Sequence, residues 1–257
     1  MIASIPEFKT SKVLRLFHSA AVGSALLCSL SSESVQALEA RISTSRSSYE
    51  GRLQSVKAAQ IESWNRSAFK SYEENHLITA SRLFLKAAKA GDISAQYNLA
   101  SMKIRQETTL ISLVQALSWT RQAAQQGLAP AQFSYGLLLE LGQYLQQDLK
   151  ASTSWFEKAA AQGHQEAALA LATACFLGRG HPLDYEKAAL WYEKAADAGE
   201  VAAQYSLASM YLTGLGVKLN LESALLWFSA AARQGDVVAK EQARIIAERL
   251  ATEPRTE

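Results

Sequence analysis

The sequence predicts an all-α solenoid of stacked antiparallel helix pairs, and three observations carry that prediction. Gly91, Gly127, Gly163, Gly199 and Gly235 stand 36 residues apart without a slip. So strict a period marks a stack of short units rather than one globular core. A stripe of apolar and small residues returns in step with the glycines at i, i+3, i+4, i+7 and i+8, the spacing by which a helix buries one face. Hydrophobic residues make up 49% and charged residues 19%, a foldable balance. Alanine is abundant, and Pro6, Pro130, Pro182 and Pro254 all lie at or between predicted helix boundaries.

The first element is a leader. Lys9, Lys12 and Arg15 precede the apolar run Ala20–Leu30, and Val35-Gln36-Ala37 places small residues where a signal peptidase reads them. Residues 1–37 therefore read as an export signal cleaved after Ala37, which puts the mature chain in the periplasm or outside the cell. The run is short and serine-spotted for a membrane span. An inner-membrane anchor through residues 13–30 is the alternative, and the membrane is then touched through that segment alone. Leu27 directly ahead of Cys28 argues against a lipid-attachment site. Loss of Cys28 with the leader leaves only Cys175, so no intramolecular disulfide can form, and Cys175 reads as a buried inert thiol.

Residues 38–52 are rich in serine and arginine and read as a flexible lead. A degenerate helix pair follows over 53–91: one helix from Leu53 to Glu74, and a second from Leu77 to Lys89 with the stripe Ala80, Leu83, Phe84, Ala87 and Ala88. Four full units then run over 92–127, 128–163, 164–199 and 200–235. Their second helices carry Ala116, Trp119, Thr120, Ala123 and Ala124, then Ser152, Trp155, Phe156, Ala159 and Ala160. Next come Ala188, Trp191, Tyr192, Ala195 and Ala196, and finally Ala224, Trp227, Phe228, Ala231 and Ala232. Each tryptophan is expected to fill the gap that the small alanines leave. The glycine is expected to end the helix in a left-handed conformation.

Each unit opens with a helix striped on two sides, as Ala203, Leu207, Met210 and Tyr211 against Tyr205, Ala208 and Leu212. Two stripes imply a helix wedged between neighbours. Gly214 and Gly216 permit a tight reversal between the helices, and Asn220, like Asp184 one unit earlier, suits a helix N-cap. Residues 236–251 form a charged amphipathic helix that caps the stack, and 252–257 are a tail.

These residues resemble a known family. Ala203, Leu207, Ala208, Tyr211, Gly214, Gly216 and Val217, followed by Ala224, Trp227, Phe228, Ala231, Ala232 and Gly235, are similar to the Sel1-like repeat. The preceding copy matches through Gly178, Gly180, Asp184, Lys187, Ala188, Trp191, Tyr192, Lys194, Ala195, Ala196 and Gly199. The resemblance implies a right-handed solenoid related to tetratricopeptide arrays, from which the 36-residue spacing and the Gly-x-Gly loop separate it. Departures occur. The unit at 92–127 has Gln106 and Thr108 in place of the loop glycines and Lys103 in place of tyrosine, so its loop should differ in shape. The next unit keeps Gly142 but has Tyr144 at the second glycine position. The cysteine pairs that staple one branch of the family are missing.

The chemistry-bearing residues point away from catalysis. His181 and Asp184 can be drawn as a base and its orienting partner, but Asp184 holds the helix-start position and His181 lies in a turn. His164 reads as a solvent-facing turn residue. His18, His76, His164 and His181 lie on separate elements and make no metal-ligand spacing, and no phosphate loop or nucleophile elbow occurs. No catalytic, cofactor-binding or metal-binding residue is assigned. Formal net charge is +2 with no basic cluster, so no nucleic-acid partner is expected.

A binding role has a better physical basis. In tetratricopeptide relatives, fixed positions on the first helix of each unit face a concave groove. The matching positions are Tyr97 and Ser101, Phe133 and Glu140, Glu166 and Thr173, and Tyr205 and Ser209, with Arg105 of the atypical loop beside them. Rings and small polar groups in a ladder suit a peptide or helix. Packing is the competing reading for Tyr97, Phe133 and Tyr205. The expectation is a non-enzymatic protein-interaction scaffold or adaptor of the bacterial envelope. A structural subunit of an envelope machine (motor or polysaccharide export) and a cell-wall hydrolase are the alternatives.

Overall fold

A computed structural model describes residues 32–252. Among them all regular structure is helical: α1 (Ser32–Glu73), α2 (Leu77–Lys89), α3 (Ile93–Ile104), α4 (Leu113–Gln125), α5 (Ala129–Leu141), α6 (Leu149–Ala161), α7 (Gln165–Leu177), α8 (Tyr185–Asp197), α9 (Val201–Thr213), α10 (Leu221–Arg233) and α11 (Val237–Thr252). The chain divides into two compact units, residues 1–62 and 63–257. The basic and apolar parts of the expected leader, and the tail beyond Thr252, lie outside the described residues.

In the first unit the described residues are helical, which corrects the flexible lead expected over 38–52. The helix begins at Ser32 rather than Leu53. Serine disfavours helix by only a few tenths of a kcal/mol, and the alanine, leucine, glutamate and arginine around it favour helix. Arg46 pairs with Glu50 one turn on at 2.9 Å, and the Thr44 hydroxyl donates back to the Ala40 carbonyl, so the side chains serve the helix rather than compete with it.

The second unit is a solenoid. Four helix pairs, α3/α4, α5/α6, α7/α8 and α9/α10, pack each helix on the next in chain order; the first of each pair is here the A helix and the second the B helix. The alanine stripes are fully buried, as at Ala80, Ala116, Ala159, Ala188, Ala195, Ala224 and Ala231. Small side chains allow close approach, and Gly136 takes this furthest. A Cβ there would meet the Phe156 ring at 2.8 Å, so α5 rests directly on the aromatic face of α6.

The ring that fills the core is not the tryptophan. Phe84, Thr120, Phe156, Tyr192 and Phe228, one residue beyond the Trp position in the full units, are the buried side chains, while Trp119, Trp155, Trp191 and Trp227 are half-buried. The next residue turns about 100° further around the helix, and only that position points between neighbours. Two of the tryptophans shelter lysine instead: the Lys158 ammonium lies 4.0 Å from the Trp155 ring centroid and that of Lys194 3.9 Å from Trp191.

The five period glycines end or follow their helices with φ between +86° and +97°, as the spacing predicts. The A-to-B loops hold a surprise. Gln106 takes φ +63°, matching Gly142, Gly178 and Gly214 at the same position, so the first loop starts in the left-handed conformation without a glycine. The second loop glycine answers to contact as well. A Cβ on Gly180 or Gly216 would collide with the backbone carbonyl of Leu149 or Tyr185. Each loop therefore presses on the start of the preceding B helix. B helices begin on side-chain caps, with Ser112, Asp148, Asp184 and Asn220 accepting from the backbone N–H three residues on.

Two glutamine relays tie helices together. Gln132 donates to the Ala124 carbonyl at 3.2 Å and accepts from Gln162 at 2.7 Å. Gln204 likewise donates to Ala196 and accepts from Gln234. In the unit between them both positions are alanine, Ala168 and Ala198.

Candidate partner-binding site

Three of the expected binding residues converge on α3. Its pitch stacks Tyr97, Ser101 and Arg105 at i, i+4 and i+8 on one face. The Tyr97 hydroxyl lies 3.1 Å from the Pro130 carbonyl and 2.9 Å from Ser134 Oγ, which ties the ring to α5. Arg105 Nη1 donates to Ser101 Oγ at 3.0 Å. Its Nε and Nη2 meet Glu107 at 2.8 and 3.2 Å, and Nη2 also donates to the Tyr72 hydroxyl. The guanidinium sits above the Tyr72 ring, 5.8 Å from its centroid. The hydrogen bonds that Arg105 donates to the Glu107 carboxylate raise its pKa above the ordinary value, so the group is permanently charged and fixed in place.

These three residues line two clefts. One, of about 180 Å³, lies toward α1 and α2 and is walled by Phe69, Tyr72, Phe84, Asn98 and Met102. The other, of about 140 Å³, lies toward α5 and is walled by Ile104, Leu137, Leu138, Leu141 and Tyr144. One cleft is aromatic and the other aliphatic. The second follows from a sequence departure: Tyr144 replaces the glycine that lets later loops press on the preceding helix, and its ring becomes a cleft wall.

The other expected residues are spread along the stack and locally engaged. Phe133 stacks on His164 at 4.9 Å and tilts onto Phe156 at 5.7 Å, and Tyr205 meets Phe228 edge-on at 5.2 Å. Both are packing residues. Glu140 accepts from Arg179 at 3.5 Å. The Thr173 hydroxyl donates to the Leu169 carbonyl and shares a hydrogen bond with Tyr192, and that of Ser209 donates to Tyr205. Glu166 is exposed and lies 3.3 Å from His164 Nδ1. Sequence reasoning missed the walls Phe69, Tyr72, Leu141 and Tyr144, since the first two lie outside the clear repeats. The substitution at 144 was the signal for the last.

His164 corrects its expectation. It is not solvent-facing: its side chain is 16% exposed, it stacks on Phe133, and its Nδ1 accepts the Ala167 N–H. The position is a helix N-cap, which draws the ring inward. Asp184 accepts the Lys187 N–H at 2.8 Å as its cap, and His181 Nδ1 sits 2.5 Å from the Pro182 carbonyl within the turn. Cys175 is buried, and burial pushes its thiol pKa up, which keeps it unreactive. Among the described residues no group of histidine, cysteine, aspartate and glutamate could hold a metal ion, and no helix is long and apolar enough to cross a membrane.

Comparison with known proteins agrees with this architecture. The Sel1 repeat model matches residues 79–92, 93–128, 129–164, 165–200 and 201–236. Among solved structures, a Sel1 repeat protein from Oxalobacter formigenes is 35% identical, with a TM-score of 0.61 over 65% of this chain and 49% of that one. The protein c5321, a protective antigen present in uropathogenic Escherichia coli strains and displaying an SLR fold, is 25% identical. Its TM-score is 0.51, over 79% of this chain and 52% of that one. The chain thus matches about half the length of each of these proteins. No curated protein matches. The repeat match spans more than half of the sequence, and with the stacked helix pairs it makes this chain a member of the Sel1 repeat family.

Proposed function

We propose that this chain is a non-enzymatic scaffold or adaptor of the bacterial envelope that holds a peptide or helix of a partner protein against its A helices, centred on Tyr97, Ser101 and Arg105. Sel1 repeats generally mediate protein–protein interactions, which sets the class. The observation that carries the placement is the meeting of two clefts of different character at the same three side chains. An aromatic slot and an aliphatic slot on either side of a fixed cation suit a segment with two apolar anchors and polar backbone between them. The envelope assignment is supported by the basic, apolar and small-residue succession over 1–37.

A photo-reactive residue placed at Ser101, at Ser209 and at the outward-facing Lys150 tests the reading in the native organism. Capture of one partner from Ser101 alone supports it. Equal capture from all three positions favours a structural subunit enclosed on every side, and overturns the placement.

A further inference from the structure

The B helices of the last two repeats carry a pattern that packing does not use. Glu186 and Leu190 on α8 return one period later as Glu222 and Leu226 on α10, and all four are exposed. The equivalent residues on α4 and α6 are Val114 with Ser118 and Lys150 with Ser154, so the repeat itself does not require it. Leu190 and Leu226 are 60% and 59% exposed. Beside Leu190 a cleft of about 260 Å³ opens, bounded by Leu207, Tyr211 and Val217, with Glu186 and Glu193 at its rim.

No ion pair among the described residues neutralises the carboxylates on these two helices. Glu186, Glu193 and Glu222 form no ion pair among the described residues; Lys187 turns to Glu157 at 3.2 Å and Lys194 lies over Trp191. Asp197 adds a further exposed carboxylate one turn beyond Glu193, and Lys218 in the adjoining loop is the cation left nearby in sequence. Unpaired negative charge around exposed leucine favours a ligand that brings both cations and apolar surface.

The geometry points to a docking site for a cationic amphipathic helix of a partner protein, laid over α8 and α10. Its apolar side chains cover Leu190 and Leu226 and fill the cleft, and its lysines or arginines flank them to meet Glu186, Glu193 and Glu222. The site lies on the B helices and stands whether or not the α3 clefts hold a ligand.

Fluorescence anisotropy with a labelled helical peptide of about four turns, built from leucine on one face and lysine on the other, tests it. The controls are a scrambled peptide of the same composition and a leucine/glutamate counterpart. The Leu/Lys peptide binds, and added salt weakens it. Leu190→Ser with Leu226→Ser weakens it about tenfold, as does the triple reversal Glu186→Lys, Glu193→Lys and Glu222→Lys. The charge-reversed chain gains binding to the Leu/Glu peptide, and circular dichroism shows both variants folded. Binding of the scrambled peptide as tight as that of the Leu/Lys peptide would overturn the site, since it reports diffuse attraction alone. Unchanged binding by the folded variants overturns it too. Loss of binding in Leu141→Ser would move the peptide to the α3 clefts and overturn the placement.

Discussion

Arg105 and Glu107 grip each other at two points, Nε to Oε1 at 2.8 Å and Nη2 to Oε2 at 3.2 Å, on the loop that opens after α3. The pair is a local clamp. It orients the guanidinium over Tyr72 and toward Ser101, at the junction of the two clefts. Arg105 is 49% exposed and Glu107 20%, so solvent screens much of their attraction.

Arg105→Ala is therefore expected to change stability by less than about 1 kcal/mol in urea titration. The same variant should lose capture of the partner at Ser101. A large loss of stability would make the pair a folding element and remove it from the binding site.

The loop glycines separate two kinds of requirement. Gly235→Ala meets open space but keeps an unfavourable φ of +97°, and should cost about 1 kcal/mol. Gly216→Ala adds a collision with the Tyr185 backbone, and is expected to cost more, about 2–3 kcal/mol. Gln106→Gly runs the other way. It releases a side chain from the left-handed region, and a small rise in Tm is expected by differential scanning calorimetry.

The glutamine relay invites a double-mutant cycle. Gln162→Ala leaves the buried Gln132 oxygen without its donor, and Gln132→Ala leaves the Ala124 carbonyl short. Each single change is expected to cost about 1–2 kcal/mol. Losing both should cost less than the sum by about 0.5–1 kcal/mol, because the chain already tolerates alanine at both positions in the next unit. Strict additivity in urea denaturation would show that the two side chains are not coupled.

The capping helix α11 should respond to acid. Arg244 donates to Glu241 and Glu248, and the hydrogen bond from Arg244 holds the Glu241 carboxyl below its usual pKa. A carboxyl depressed in the folded state contributes fully above its unfolded pKa, and the contribution fades as pH falls through the lower folded value. Amide protection along α11, taken relative to the intrinsic exchange rate at each pH, is expected to fall below about pH 4, less so in high salt because the groups are exposed. Protection unchanged down to pH 2 would contradict the assignment.

Much of the solenoid was legible because its signals are periodic. The alanine stripes and helix-ending glycines repeat with a fixed spacing, and one chain holds several copies against which each can be checked. What escaped is what periodicity does not encode. The choice between Trp155 and Phe156 as the core ring depends on about 100° of helix rotation, which a stripe of width i to i+4 leaves open. The helix through 38–52 was hidden by serine, whose small local penalty was read as disorder. At the candidate site, Tyr97, Ser101 and Arg105 were found through position in the repeat. Phe69 and Tyr72 were not, because the pair that supplies them lacks the repeat's own residues. Tyr144 was noticed as a departure, but its role as a cleft wall needed the course of the loop.

The missing relay at Ala168 and Ala198 gives the stack an uneven grain. Amide rivets cross from α4 through α5 to α6, and again from α8 through α9 to α10, each anchored on a backbone carbonyl. Between α6 and α8 other chemistry does the tying: the Thr153 hydroxyl on the Arg179 carbonyl, the Thr173–Tyr192 hydrogen bond and the surface pair of Lys187 with Glu157. A hydrogen-bonded amide keeps its register whatever the ionic strength, whereas an exposed ion pair is screened. Added salt therefore loosens the middle of the stack and leaves the amide-tied pairs on either side of it as they were.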